Sequence, residues 1–227
     1  ECGRASGKRR EGLTMSGKAG FEPSKVSYVG SFADIQERHP KPMTRATGKV
    51  LTRLDKHCTA MLQRSTFCVI STHGPGGADV SPRGDPPGFC RILDDRHLLV
   101  PDRIGNNRFD TMGNLFHNPA VGMLFLVPGM SEILRINGTA RITDDEALLA
   151  PSLVQGRAPK VGLLVTIKEA YLHCAKAVNR SKLWDPAQHI DRSELPSYPT
   201  MLADQVEGLT EEENERQSAE MARRGMY

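Results

Sequence analysis

AVGMLFLVPGMSEILRINGTARIT, residues 120–143, decides the fold. Two β-prone runs, 120–128 and 132–143, flank Pro128-Gly129, a pair that turns the chain back on itself, so the stretch reads as two antiparallel strands. The same pattern repeats on either side. Upstream, TFCVIST (66–72) meets Gly74-Pro75-Gly76-Gly77 and a second run, and GFCRIL and HLLVP flank Asp94-Asp95-Arg96. Downstream, VGLLVTIKEAYLHC (161–174) supplies a long strand with partial alternation. Six or seven short strands joined by hairpins, without a helix after each, predict a closed or nearly closed antiparallel barrel rather than a doubly wound sheet.

Helical signals are few. Val50, Leu51, Leu54, Met61 and Leu62 recur at helical spacing and predict a helix over 49–64. A short helix is expected from about Phe109 to His117, stopped by Asn118-Pro119, and another from the capping box Thr143-x-x-Glu146, ended early by Pro151. Residues 1–30 are rich in Gly, Ser and Lys without periodicity and read as a flexible arm, with Met15 a candidate native start. Residues 31–205 form the domain. In the tail, 206–227, Thr210-x-x-Glu213 opens a polar helix with too little apolar surface to dock firmly, expected to be solvated or frayed.

The 227 residues carry a formal charge of +3, with much of the excess in the arm (Arg4, Lys8, Arg9, Arg10, Lys18, Lys25), so composition makes no case for nucleic-acid binding. Five separated cysteines without a C-x-x-C pair argue against a disulfide framework and for a reducing, cytoplasmic setting. No run approaches a membrane span. Phosphate-loop, dinucleotide, nucleophile-elbow and H-E-x-x-H signatures are all missing. His57-Cys58 and His173-Cys174 are adjacent pairs whose side chains diverge, a poor start for a metal site.

Two basic loops remain. In DVSPRGDPPGF a strand ends at Ser81-Pro82-Arg83-Gly84, rigid at the prolines and open to close approach at the glycine. In PDRIGNNRFD a strand ends in Gly-Asn-Asn, with Arg108 at a helix start where unpaired N–H groups and the dipole favour an anion and Asn106 or Asn107 is placed to cap. Arg83 and Arg108 could each grip phosphate oxygens bidentately. The alternative pairs Arg103 and Arg108 with Asp102 and Asp110 on a solvated surface. Spacing alone leaves both readings open.

Three separated blocks, DVSPRGDPPGFCRILDDRHLLVPDRIGNNRFDTMGNLFHNPAVGMLFLVPG, EILRINGTARI and YLHCAKAVNRSKLWDP, resemble the pyridoxamine 5′-phosphate oxidase-like flavoproteins over residues 49 to about 205, and within them a subgroup of FMN-dependent proteins of unknown substrate. The resemblance implies a mainly β (α+β) fold, a six-stranded antiparallel split β-barrel with a few flanking helices, a homodimer with FMN at its interface, and an oxidoreductase passing hydride through flavin N5 from a small molecule. It places Val80, Ser81, Pro82 and Arg83 along the flavin with Arg83 near the phosphate, Pro101 and Asp102 against the flavin, and Asn107 and Arg108 at the phosphate. From the partner subunit it implies Glu132 to Arg135, Arg180, Lys182 and Trp184, with Arg135 or Lys182 as a cation near the reduced ring edge. Trp184 reads equally as a flavin contact and as an aromatic anchor between subunits. The Trp-Gln-Gly and Arg-His motifs of the pyridoxal-phosphate-forming enzymes have no counterpart in HCAKAVNRSKLWDPAQHIDRSELP, and the surroundings of Arg157 do not match their substrate-phosphate grip, which argues against pyridoxamine phosphate as substrate. No residue is an obligatory acid or base, so a non-catalytic flavin- or haem-binding carrier or sensor is the alternative function.

Overall fold

A computed structural model describes residues 21–225. The flexible-arm reading of residues 1–20, with Met15 and the basic cluster up to Lys18, lies outside the described residues. Two compact units divide the chain between Met43 and Thr44. In the first unit Ser31 and Asp34 form a reciprocal capping box that starts helix α1 (Phe32–Arg38).

The second unit is built on one antiparallel sheet of seven strands: β1 (Phe67–Gly74), β2 (Gly77–Gly84), β3 (Arg91–Ile92), β4 (His97–Pro101), β5 (Ala120–Leu126), β6 (Ile133–Thr143) and β7 (Gly162–His173). Their order is β2-β1-β5-β6-β7-β4-β3. Seven strands replace the expected six because Arg91–Ile92 pairs briefly with β4, and β2 and β3 end the sheet as edges, so the barrel is split rather than closed. The expected hairpins are all present: Gly74 pairs with Gly77 across Pro75-Gly76, and β5 pairs with β6 across the Pro128-Gly129 turn. The partial alternation of β7 has a local cause. Leu163, Val165 and Ile167 are buried, then Ala170, and the register skips Lys168 where Asn137 faces Glu169 and Gly138 faces Ile167. This is a β-bulge, with one extra residue on β7. Only glycine fits at 138, where a Cβ would lie 2.2 Å from the Thr166 carbonyl oxygen.

The sheet's buried face, including Ile70, Met123, Phe125, Leu134, Ile136 and Val165, packs with Cys58, Met61 and Leu62 of helix α3 (Lys56–Arg64), which follows the short α2 (Thr44–Thr47), in one core. Helix α3 starts seven residues later than the spacing predicts. Asp55 accepts from the backbone N–H groups of His57 and Cys58 and fixes the start, while Leu51 pairs with Ala170 in extended form. The short helix after β6 runs over Glu146–Leu149, capped by Asp145 rather than Thr143, because the Asp145 carboxylate reaches Leu148 N–H and Thr143 Oγ1 instead accepts from Asp145 N–H. Beyond β7 come Lys176–Ser181, Tyr198–Gln205 and Glu211–Arg224. Thr210 caps the last as expected, yet the helix docks: Asn214 is buried and its Nδ2 donates to the Pro199 carbonyl at 2.8 Å. A polar side chain supplies the anchor that apolar surface does not. Among the described residues no helix is long and apolar enough to cross a membrane.

Candidate functional site

Strand β2 is an edge strand, which tolerates Pro82 inside it. Its two-residue period turns Asp79, Ser81 and Arg83 to one face and Val80 and Pro82 to the more exposed one. The loop after β4 and the helix Asp110–His117 (α4) face the same strand, and together they enclose a cavity of about 520 Å³. Val80, Ser81, Pro82, Arg83, Pro101, Asp102, Asn107 and Arg108 all line it. The two basic loops, some twenty-five residues apart in sequence, thus form one cleft.

Arg83 donates from Nη1 to the Ser81 hydroxyl and to the Pro82 carbonyl at 2.8 Å, and among the described residues no carboxylate stands within ion-pair distance of it. Its remaining donors are open to the cavity's contents. Arg108 donates from Nε to Asp110 at 2.7 Å, with its side chain 72% exposed, an arrangement a stronger anion can displace at small cost. Arg103 behaves differently from either expectation. Its Nε donates to Asp85 at 2.6 Å and its Nη1 to the Ser152 carbonyl at 2.9 Å, the Arg103 and Asp85 side chains being largely buried. Arg103 ties the end of β2 to the loop after β4.

The expected asparagine cap of α4 is replaced. Asn106 Oδ1 accepts from Arg108 N–H, closing a turn ahead of the helix, and the N-cap position is Phe109, left-handed at φ 60° with no side-chain cap. Asn107 is also left-handed, at φ 58°. The first-turn N–H groups of α4 are therefore left for solvent or a ligand. Asp79 Oδ2 accepts from the buried Thr111 hydroxyl at 3.1 Å, and Asn114 donates to Thr72 at 3.1 Å, which locks α4 onto β1 and β2.

Asp102 is half-buried, and burial raises its carboxyl above the ordinary carboxylate range although the Arg83 and Arg103 charges and the Arg103 backbone N–H oppose the rise. Cys68, opposite Arg83 in the sheet register, is no nucleophile, since burial pushes its thiol up to about 12.

Arg135, Lys182 and Trp184 do not line this cleft within one chain. Arg135 lies 5.6 Å from the Tyr171 ring centroid and bonds Asn137. Lys182 ends Lys176–Ser181 in the left-handed conformation. The Trp184 indole donates to the Met130 carbonyl at 2.7 Å, fastening the C-terminal segment to the β5–β6 turn. Residues that sequence reasoning did not single out are Asp79, Phe109 and Thr111 in the lining and Asp85 as the partner of Arg103. Only the alternation of DVSPRG, which sets Asp79 on the face of Arg83, carried a usable signal.

Among curated proteins none matches the sequence. Solved structures similar to the chain include HupZ from Group A Streptococcus (15% identity, 52% of this chain and 93% of that one, TM-score 0.44) and General Stress Protein 26 from Bacillus anthracis (18%, 50% and 88%, 0.37). An F420 reductase is also similar (18%, 53% and 98%, 0.38). The family model described as pyridoxamine 5′-phosphate oxidase matches residues 54–174, more than half of the chain and the whole run from the Lys56–Arg64 helix to the end of β7. The chain belongs to the pyridoxamine 5′-phosphate oxidase family.

Proposed function

We propose that the protein is an FMN-dependent oxidoreductase acting on a small molecule other than pyridoxamine phosphate. The observation that carries the reading is Arg83, a guanidinium without a carboxylate partner among the described residues, in the same cavity as Arg108 and the uncapped first turn of α4. A phosphate carrying nearly two negative charges suits that set of donors. The lining also holds four aspartates, but three are committed, Asp79 to Thr111, Asp85 to Arg103 and Asp110 to Arg108. The residues present therefore fit the phosphate end of FMN. Arg83, Asn107 and Arg108 would hold the phosphate, and Val80 to Pro82, Pro101 and Asp102 would meet the rest.

When bound, FMN supplies a two-electron acceptor for hydride. The chain's own share is orientation: Arg103 and Asp85 fix the cleft's two walls. We further propose a homodimer in which Arg135, Lys182 and Trp184 of one subunit close the cleft of the other, and a cytoplasmic protein, in keeping with four free thiols at Cys58, Cys68, Cys90 and Cys174.

Titration of the purified chain with FMN, read by flavin fluorescence, tests this. Arg83→Ala and Arg108→Ala should each weaken binding, Arg83→Ala by about tenfold or more for a charge-assisted contact; no affinity for FMN refutes it. The lining has no His, Cys, Tyr or Lys among the described residues to act as acid or base, which favours as second reading a non-catalytic flavin carrier or sensor; a haem carrier would have to draw its iron ligand from elsewhere. Anaerobic bleaching of the bound flavin by NADH or NADPH, with rapid reoxidation by an organic acceptor, supports the enzyme, and a cofactor that no reductant turns over supports the carrier.

A further inference from the structure

Beside the arginine cleft lies a second cavity of about 710 Å³, walled by Ile104, Phe109, Met112, Pro159 and Val161. Asp102, Arg103, Ile104, Asn107, Phe109 and Met112 line both. Two features mark its shared wall. Ile104 and Phe109 are 65% and 55% exposed, and Phe109 holds a positive φ that aromatic residues rarely adopt. Hydrated apolar side chains are costly in the free chain, and an apolar ligand covering Ile104 and Phe109 offsets that cost. At the junction of the cavities Asp102 accepts the Arg103 backbone N–H and has no cation within ion-pair distance among the described residues. It is the one carboxylate of the cleft that is not committed to another side chain.

We propose that this second cavity takes the reacting small molecule and that the molecule is a neutral ring compound bearing one O–H or N–H donor. Its ring lies against Ile104, Phe109 and Met112, and its donor bonds Asp102, which acts as a positioning residue. A half-buried acceptor of this kind, covered by the ligand, discriminates against an analogue that lacks the donor. A carboxylate ligand is disfavoured at Asp102 by like charge, while Arg157 and Lys160 stand exposed at the cavity's edge, where solvent screens them. Calling the occupant a substrate rests on the FMN reading of the neighbouring cleft; the ligand class does not.

The test is fluorine NMR titration of the full chain with 4-fluorophenol, fluorobenzene and 4-fluorobenzoate, beside the FMN titration. The phenol should bind saturably and more tightly than the benzoate. Asp102→Asn should weaken the phenol about tenfold and leave fluorobenzene unchanged. Ala158→Trp, at an exposed residue that lines only this cavity, should abolish binding of both and leave FMN affinity intact. No saturable binding, binding that survives Ala158→Trp, an equal response of phenol and fluorobenzene to Asp102→Asn, or a tighter benzoate would each overturn the proposal. Phenol binding as described in a chain without FMN affinity sustains the ligand class and removes the oxidoreductase instead.

Discussion

Replacing Asp85 by Asn should loosen the whole site from outside its ligand-contacting residues. The Asp85 side chain is 1% exposed and that of Arg103 17%, with 2.6 Å between them. Removing one partner of a fully buried pair typically costs about 3–5 kcal/mol, because the other charge stays desolvated. Asn keeps the shape and one acceptor, and Arg103 retains the Ser152 carbonyl. The expected loss is therefore about 2–3 kcal/mol, or about 5–10 °C in melting temperature for a unit of this size. Because Asp85 directly follows the strand that carries Arg83, FMN affinity should fall as well. Urea denaturation of Asp85→Asn, Asp85→Leu, Arg103→Met and the Asp85→Leu/Arg103→Met pair measures the stability loss, and FMN titration of Asp85→Asn the loss of affinity. The double variant should be more stable than the sum of the single losses predicts, since it leaves no orphaned charge. A loss below about 0.5 kcal/mol for Asp85→Asn, the range of an exposed pair, or strict additivity of the two sites, refutes the reasoning.

Gly138→Ala should cost about 2–3 kcal/mol in the same assay, because its Cβ would press on the Thr166 carbonyl at 2.2 Å and the bulge has nowhere to yield. Thr111→Val should cost about 1–2 kcal/mol, since it strips Asp79 of its nearer hydroxyl donor at a buried position, and a change within error would mean that α4 is held by packing alone. Asp102→Asn should stabilise the chain at neutral pH. The folded state binds the Asp102 proton more tightly than the unfolded state, whose carboxyl titrates near 3.8, so stability from this group is lost as pH rises from there through the raised folded value. The gain from the substitution should vanish below about pH 3.8, and a gain that persists there would contradict a charge-desolvation origin.

The strands were legible in the sequence because alternation and turn residues are local: the runs about Pro128-Gly129 and Pro75-Gly76 become hairpins where expected. Misreadings arose where a long-range partner overrides a local pattern. Val50 and Leu51 fit the helical period, yet Leu51 pairs with Ala170 more than a hundred residues away. The break in β7 at Lys168 depends on the bulge opposite Gly138, which no spacing reveals. Within the site the two arginine loops were visible as basic, glycine-containing strand ends. Their convergence on one cavity was not, and neither was the pairing of Arg103 with Asp85. Phe109 gave no signal because a left-handed aromatic residue is an exception that only the folded backbone discloses.

Whether Arg83 grips the phosphate of FMN is read by comparing FMN with riboflavin, which lacks that phosphate, on the wild-type chain and on Arg83→Gln. The wild type should prefer FMN, and the substitution should weaken FMN by about tenfold or more while leaving riboflavin unchanged. Equal weakening of the two flavins, or no preference for FMN in the wild type, would contradict that grip.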